Sequence, residues 1–186
     1  MSLHKYNGPV ALVAFVFASV WIHYEVKVGM GAGAASGSVK EMGHIKVGQP
    51  ALSFSAQDLT NQTVNLASYQ GKKVVLLDFW ATWCGPCKMA MVDLQPLLDE
   101  FKGRGLEVLS VNQGEGAGPV SEFINRKKYT FHVVLDRDTA IGGQYGVRGI
   151  PTLVLVDKKG VVRWIRVGYA PGDSDLRKQV DLLTKE

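Results

Sequence analysis

The hydrophobic and polar positions of this chain change their spacing several times along the sequence. Residues 52–56 and 63–66 alternate between apolar and polar positions on either side of a polar turn, which predicts an antiparallel N-terminal hairpin. Residues 73–80 are almost continuously apolar, as is typical of a central strand covered on both faces. Asp78 interrupts this run, and burying a carboxylate is costly unless it has a partner or a task. The alternative is that Asp78 lies at an edge and faces water.

After the central strand, helical and strand patterns alternate along the sequence. Apolar residues at 91, 94, 98 and 101 keep helical spacing with Cys87, which predicts a helix over this stretch. The remaining predicted elements are strands at 106–111 and 131–135, a helix at 120–129, a closing hairpin of 152–156 with 161–167, and a helix at 173–184. Residues 112–118 contain three glycines and are interpreted as a mobile loop. The pattern as a whole predicts an α/β fold.

The N-terminal segment has a different character from the rest. Residues 8–22 carry no charge and follow Lys5. The run is short for a membrane-spanning helix, which needs about 20 residues, and lies at the upper limit of about 15 for the apolar region of a signal peptide. Extension to Val28 reaches a spanning length. We therefore predict a membrane segment at 1–28, with an uncleaved anchor favoured over a cleaved signal or a buried helix.

Two further regions complete the predicted organisation. Residues 29–46 begin with a stretch of Gly, Ala and Ser without apolar periodicity, which predicts a flexible, glycine-rich tether. Residues 47–186 form the predicted globular domain. A long folded domain is translocated largely regardless of flanking charges, so we expect it to lie outside the cytoplasm.

Composition narrows the possible functions. The 186 residues are 46% hydrophobic, which is enough to bury a core, and 21 Lys and Arg against 17 Asp and Glu give a net charge of +4. No basic block is interleaved with aromatic residues, so the sequence argues against a nucleic-acid-binding protein.

The two cysteines of the chain, Cys84 and Cys87, are separated by Gly85 and Pro86 and directly follow the predicted central strand. A sulfur at the start of a helix lies beside free backbone N–H groups and the positive end of the helix dipole, which stabilise a thiolate. We predict that Cys84 attacks and that Cys87 resolves the mixed disulfide. Two alternatives are less favoured. A zinc site would need four ligands, and the chain has no second pair of cysteines. A purely structural disulfide would close so short a loop that it would constrain little of the unfolded chain.

These residues carry a family resemblance. The stretch from Asp78 to Cys87, Asp-Phe-Trp-Ala-Thr-Trp-Cys-Gly-Pro-Cys, resembles a thioredoxin active site, and residues 145–152 resemble the cis-proline loop of that family. Residues 48–54, together with 58–59 and 66–72, are similar to the lead-in of the membrane-tethered TlpA-like and ResA-like branch. A peroxidase is not favoured, since a peroxide-reducing cysteine is not expected inside Trp-Cys-Gly-Pro-Cys.

The resemblance implies a specific architecture and site. The fold would be a thioredoxin fold with an N-terminal β-hairpin and an inserted βα unit, preceded by one N-terminal membrane helix. Cys87 and Pro151 are 64 residues apart, which leaves room for the insertion. Asp78 would be a buried acid that exchanges a proton with Cys87. The Ile150–Pro151 bond would be cis. The residues expected to contact the substrate are Trp83, Gly85, Pro86, Ile150 and Pro151.

Three positions depart from the family pattern. Ala90 stands where the tethered branch often has a glutamate, and Val92 stands where the family usually has a proline that kinks the helix. Pro96 follows one turn later. The lysine that often accompanies the buried acid has no counterpart in 106–111.

We interpret the chain as a membrane-tethered thiol-disulfide oxidoreductase that works without a metal or organic cofactor through its Cys84–Cys87 disulfide. No charged residue or histidine lies between the cysteines to stabilise the thiolate strongly, so we expect the protein to reduce disulfides of partner proteins and to receive electrons from a membrane dithiol donor. The resemblance alone favours cytochrome c maturation as the pathway. The alternatives are a peptide-binding or chaperone module without enzymatic activity, and a disulfide oxidase or isomerase.

Overall fold

The computed structural model describes residues 37–172 and 174–186. The predicted membrane segment at 1–28 and the first part of the predicted tether, 29–36, lie outside these residues. Within the described ranges, no helix combines the length and the apolar character needed to cross a membrane.

Ten strands and four α-helices make up the described chain. The strands are β1 (Gly37–Val39), β2 (Glu41–Met42), β3 (Ile45–Lys46), β4 (Ser55–Asp58), β5 (Thr63–Asn65), β6 (Val74–Trp80), β7 (Leu106–Gln113), β8 (His132–Asp136), β9 (Thr152–Val156) and β10 (Val162–Val167). The helices are α1 (Gly85–Phe101), α2 (Ala117–Lys127), α3 (Ala140–Tyr145) and α4 (Ser174–Lys185). Short 3-10 turns follow β5 and α1.

Eight of these strands form one mixed sheet with the order β1-β10-β9-β6-β7-β8-β4-β5. β6, β7 and β8 are parallel neighbours, whereas β9 pairs antiparallel with β6 and β4 pairs antiparallel with β8. β2 and β3 form a separate two-stranded hairpin. Because β6 lies in the middle of the sheet, the residues that follow it emerge near the centre of one sheet edge.

The side chains of β6 divide between two hydrophobic clusters, one on each face of the sheet. Val74, Leu76 and Trp80 pack with apolar residues of α1, α2 and α4. Val75, Leu77 and Phe79 belong to the cluster that includes Ile141 and Tyr145 of α3. This strict alternation follows from the two-residue repeat of a strand and explains why the sequence of β6 is almost continuously apolar.

Most predicted elements are present, with ends shifted by a few residues. The N-terminal hairpin is β4 and β5, although its first strand begins at Ser55 rather than Leu52. The insertion is α2 followed by β8, which extends the parallel part of the sheet. The short helix α3 was not predicted, since six residues with two glycines carry little periodic signal.

The prediction of a mobile loop at 112–118 is wrong for most of that stretch. Asn112 and Gln113 complete β7, and α2 begins at Ala117, so only residues 114–116 connect the two elements. Asn112 is fully buried. The glycines suggested a longer loop than the backbone hydrogen bonds of β7 allow.

The part of the predicted tether that the structure describes, 37–46, is not an unstructured linker. Gly37 pairs with Val167 across the β1–β10 ladder, and Ile45 is buried in the core. Strand pairing uses backbone groups, so an edge strand such as β10 can pair with a segment that has no apolar periodicity. Residues 37–46 are therefore structured, ahead of the predicted domain start at residue 47.

Candidate active site

Cys84 and Cys87 form a disulfide at the N-terminus of α1. Cys84 is the N-cap residue, and its sulfur accepts a hydrogen bond from the backbone N–H of Cys87 at 3.1 Å. Gly85 and Pro86 fill the first two helical positions, where the missing N–H of proline costs no hydrogen bond. The strand β6 thus delivers Cys84 to a helix end that stabilises negative charge on its sulfur in the reduced state.

The two sulfurs differ in their surroundings. Cys87 is fully buried in the cluster beneath α1, whereas Cys84 retains 5% of its exposure at the surface. The sulfur of Cys84 lies 3.7 Å from the carbonyl oxygen of Ile150. The Ile150–Pro151 peptide bond is cis, as the resemblance implied. Only Cys84 is placed to meet the disulfide of another protein.

Asp78 lies inside the sheet rather than at an edge. It is fully buried on β6 between Leu76 and Trp80, on the face covered by α1 and occupied by the cluster of Cys87. Its Oδ2 accepts a hydrogen bond of 3.4 Å from Ser110, its neighbour on β7, and its Oδ1 has no hydrogen-bond partner within the described chain. Burial raises the pKa of Asp78 to about 7, against a small opposing effect of the Ser110 hydrogen bond.

A second carboxylate, Glu115, holds the loop that leads into Cys84. It accepts hydrogen bonds from the backbone N–H of Thr82 at 2.7 Å, from the Thr82 hydroxyl at 2.5 Å and from the Asn112 amide at 2.8 Å. Partial burial of Glu115 would raise the pKa of its carboxyl group, but the hydrogen bonds from Thr82 and Asn112 outweigh that effect and lower it. Glu115 is therefore ionised at neutral pH. The residue that it binds, Thr82, lies two positions before Cys84 in the chain.

The residues expected to contact the substrate surround Cys84. Trp83 is 69% exposed, and Gly85 and Pro86 are exposed beside it. Ile150 is partly buried, and Pro151 is buried behind it. The tertiary structure brings these two groups of residues together although more than 60 positions of sequence separate them. Their roles in binding stay predictions.

Sequence reasoning missed Glu115, Thr82 and Ser110 as parts of this site. Thr82 and Glu115 are 33 residues apart, and no local pattern links a threonine in the active-site motif to a carboxylate in a glycine-rich stretch. Ser110 interrupts the apolar run of β7 at the position opposite Asp78. A polar residue at matching places in two neighbouring buried strands was the available signal.

Metal binding receives no support from the described part of the chain. Among those residues, no group of three or more His, Cys, Asp or Glu side chains is arranged to hold a metal ion.

The central sheet, the dithiol on the first turn of α1 and the adjacent cis-proline define the chain as a thioredoxin-fold thiol-disulfide oxidoreductase. More particularly, it belongs to the AhpC/TSA family, whose sequence profile matches residues 47–165.

The similarity to known proteins supports this assignment. The thiol-disulfide oxidoreductase ResA of Geobacillus thermodenitrificans is 39% identical over 124 residues, which cover 67% of this chain and 71% of the relative. The thioredoxin-like protein YneN of Bacillus subtilis is 33% identical over 183 residues, covering 97% of this chain and 99% of the relative. The solved thioredoxin domain of a thiol-disulfide oxidoreductase from Bacteroides vulgatus superposes with a TM-score of 0.66 at 26% identity, covering 75% of this chain and 99% of that domain.

Proposed function

We propose that this protein reduces disulfides of partner proteins outside the cytoplasm, while its N-terminal segment holds it at the membrane. The observation that carries the redox part is the position of Cys84, which caps α1, accepts the Cys87 N–H and lies beside Ile150 at the surface. In the reduced protein, Cys84 attacks a substrate disulfide and releases one substrate thiol. Cys87 then attacks Cys84, releases the second thiol and leaves the Cys84–Cys87 disulfide, so that two electrons pass to the substrate.

Asp78 is proposed to take up the proton of Cys87 when this thiol attacks. Its pKa of about 7 lies near the working pH, which is the condition for efficient general acid–base catalysis. Asp78 lies in the same buried region as Cys87, and no bulk water competes for its side chain there. Ser110 holds one carboxylate oxygen, which leaves the other available for proton exchange.

The charges around Cys84 favour reduction over oxidation as the physiological direction. No histidine or charged residue lies between the cysteines. The ionised Glu115 is bound to the loop just before Cys84, and a nearby negative charge disfavours a thiolate. A less stabilised thiolate leaves the dithiol easier to oxidise, so the protein donates electrons readily.

Redox titration of the full chain against glutathione tests this direction. We expect a potential near that of thioredoxin, about −270 mV. A potential above about −170 mV, more oxidising than the value of about −180 mV for protein disulfide isomerase, would make the protein an oxidase or isomerase. Absence of turnover with a model disulfide would leave only a peptide-binding role for the surface around Cys84 and Ile150.

The location is proposed from the apolar run at 8–22 and its extension to residue 28. An anchor would keep the domain close to a membrane dithiol donor and raise the effective concentration of the two partners. Fractionation of cells that express the full chain tests the anchor. We expect the protein to stay in the membrane pellet after alkaline extraction and to be degraded by protease added from outside the cytoplasm. Release into the soluble fraction, or protection from that protease, would contradict the proposal.

Cytochrome c maturation is the proposed pathway, because the sequence resembles the ResA-like branch. Deletion of the gene is expected to remove c-type cytochromes with covalently bound haem. An added small-molecule dithiol is expected to restore them, since it would replace the missing reductant. Normal cytochrome levels in the deletion strain would point to other disulfide substrates.

A further inference from the structure

A groove of about 460 Å³ opens beside the reactive sulfur. Trp83 and Ile150 both line it, and the carbonyl oxygen of Ile150 lies 3.7 Å from the sulfur of Cys84. The groove is therefore continuous with the point at which a substrate disulfide must be attacked. A chain segment of the substrate next to its disulfide would lie in or directly beside it.

Small lining residues and a fixed glutamine side chain keep the groove open. Four of its lining residues are glycines, which contribute no side chains: Gly114, Gly142, Gly143 and Gly149. The side chain of Gln113, which also lines the groove, is held by a hydrogen bond of 2.8 Å to Asp136. Asp136 itself is buried, and its two oxygens also accept the backbone N–H groups of Ile141 and Gly142. These contacts fix the groove without placing a carboxylate in it.

The only ionisable side chain among the lining residues is that of Arg148. Arg148 is exposed, and within residues 37–172 and 174–186 it forms no ion pair, hydrogen bond or cation–π contact. No Asp or Glu side chain lines the groove. The groove thus presents a positive charge that none of the described residues neutralises, and Ile150 connects the groove to the catalytic dithiol.

We propose that this groove binds the substrate segment adjacent to the reactive disulfide and that Arg148 selects substrates with an acidic residue there. A planar guanidinium pairs with a carboxylate through two parallel hydrogen bonds, which makes it a specific partner for Asp or Glu. The inference rests on the proposed function, reduction of protein disulfides, and adds the class of substrate sequence that is preferred. Arg148 acts through binding and takes no part in the exchange of sulfur bonds.

The test uses the reduced full-length chain in single-turnover reactions, so that its dithiol is the only reductant. The substrates are three disulfide-bonded peptides that differ only in the residues flanking the cysteines, which are Glu, Gln or Lys. Each reaction oxidises the Cys84–Cys87 pair and reduces one peptide disulfide. We expect the Glu peptide to react about three to five times faster than the Gln peptide, which is the effect of one exposed ion pair, and the Lys peptide to react more slowly.

Variants assign the preference to one residue. Arg148→Gln is expected to remove the difference between the peptides, Arg148→Glu to reverse it, and Arg148→Lys to retain part of it. Arg137→Gln is the matched control, because Arg137 is also exposed and precedes α3 but does not line the groove; it should keep the wild-type preference. The preference should also vanish near 1 M salt, where the screening length falls to about 3 Å.

The outcomes separate the two proposals. Equal rates for the three peptides with the wild-type chain, or equal loss of preference in the Arg137 and Arg148 variants, would overturn the role of Arg148 while the reductase function stands. Failure to reduce even the Gln peptide would instead contradict the proposed function.

Discussion

The carboxylate of Glu115 binds both the backbone N–H and the hydroxyl of Thr82, at 2.7 and 2.5 Å. This pair of contacts joins the connection between β7 and α2 to the loop that carries the active-site motif. Asn112 donates a third hydrogen bond to the same carboxylate and so fixes its orientation. The position of the chain just before Cys84 therefore depends on a residue outside the motif.

Substitution Glu115→Gln should weaken this connection. The amide oxygen of glutamine can still accept the N–H groups of Thr82 and Asn112, and its NH2 group would face the Thr82 hydroxyl, which can accept, but the bonds to Thr82 and Asn112 lose their ionic partner, which costs about 1 kcal/mol in the free energy of unfolding. Chemical denaturation measures the loss. Glu122→Gln is the control, because Glu122 lies exposed on α2 in an ion pair with Arg126, and its loss should change stability by less than about 0.5 kcal/mol. Equal effects of the two substitutions would show that Glu115 does not hold the loop.

The two cysteines should behave differently when each is replaced. Cys84→Ser removes the accessible sulfur and should abolish disulfide reduction. Cys87→Ser leaves the attacking sulfur but removes the buried one that resolves the intermediate, so mixed disulfides with substrates should accumulate. Mass spectrometry of trapped complexes from cells measures the difference and identifies the partners. Equal trapping by both variants would refute this division of roles.

Asp78 should make stability depend on pH. Its folded-state pKa of about 7 lies above the ordinary value of 3.8, so between these values the folded protein binds a proton that the unfolded chain has lost. The free energy of unfolding should therefore fall as pH rises from about 4 to about 7, by up to about 4 kcal/mol, and then level off. Denaturation of the wild type and of Asp78→Asn across this range measures the effect, and the variant should lack it.

A control distinguishes this buried group from carboxylates at the surface. Asp99 is exposed, and hydrogen bonds from Gln95 and Lys102 lower its pKa. Asp99→Asn should therefore keep the stability profile of the wild type between pH 4 and 7. A profile of Asp78→Asn that falls as steeply as that of the wild type would show that Asp78 does not retain its proton in the folded state.

Proton exchange by Asp78 should appear in the kinetics as well. Asp78→Asn cannot accept the proton of Cys87, so the resolving step should slow by about 10²-fold or more, the usual contribution of general acid–base catalysis. Stopped-flow measurement of mixed-disulfide decay follows this step directly. If the decay rate between about pH 6 and pH 9 is unchanged in the variant, Asp78 has no role in proton transfer.

Gly146 should tolerate no side chain. A Cβ atom at this position would lie 2.4 Å from the Cα atom of Gly43 in the β2–β3 turn, and the φ angle of Gly146 is +73°. Gly146→Ala should therefore cost more than the roughly 1 kcal/mol of backbone strain alone, since two backbone segments must separate. Gly48→Ala is the control, because Gly48 also has a positive φ but no atom within 4 Å of the added Cβ. Similar losses in thermal stability for the two variants would argue against close packing of the hairpin on α3.

The sequence alone determined the chemistry and most of the fold. The Cys-Gly-Pro-Cys motif after a buried strand predicted a dithiol at a helix N-terminus, and the structure confirms it. The cis bond before Pro151 and the inserted α2–β8 unit were implied by the family resemblance, and the structure contains both. The periodicity of helices and strands and the helix start at Cys84 are local signals, because they depend on neighbours within a few positions.

The tertiary structure alone decided which distant groups meet. Pairing of β1 with β10 joins residues about 130 positions apart, and the contacts of Glu115 with Thr82 and of Asp78 with Ser110 cross more than 30 positions. The groove around Arg148 likewise draws its walls from Trp83, Gln113 and Thr139. Such contacts depend on the path of the whole backbone, and backbone pairing or a single hydrogen bond leaves no periodic trace in the sequence.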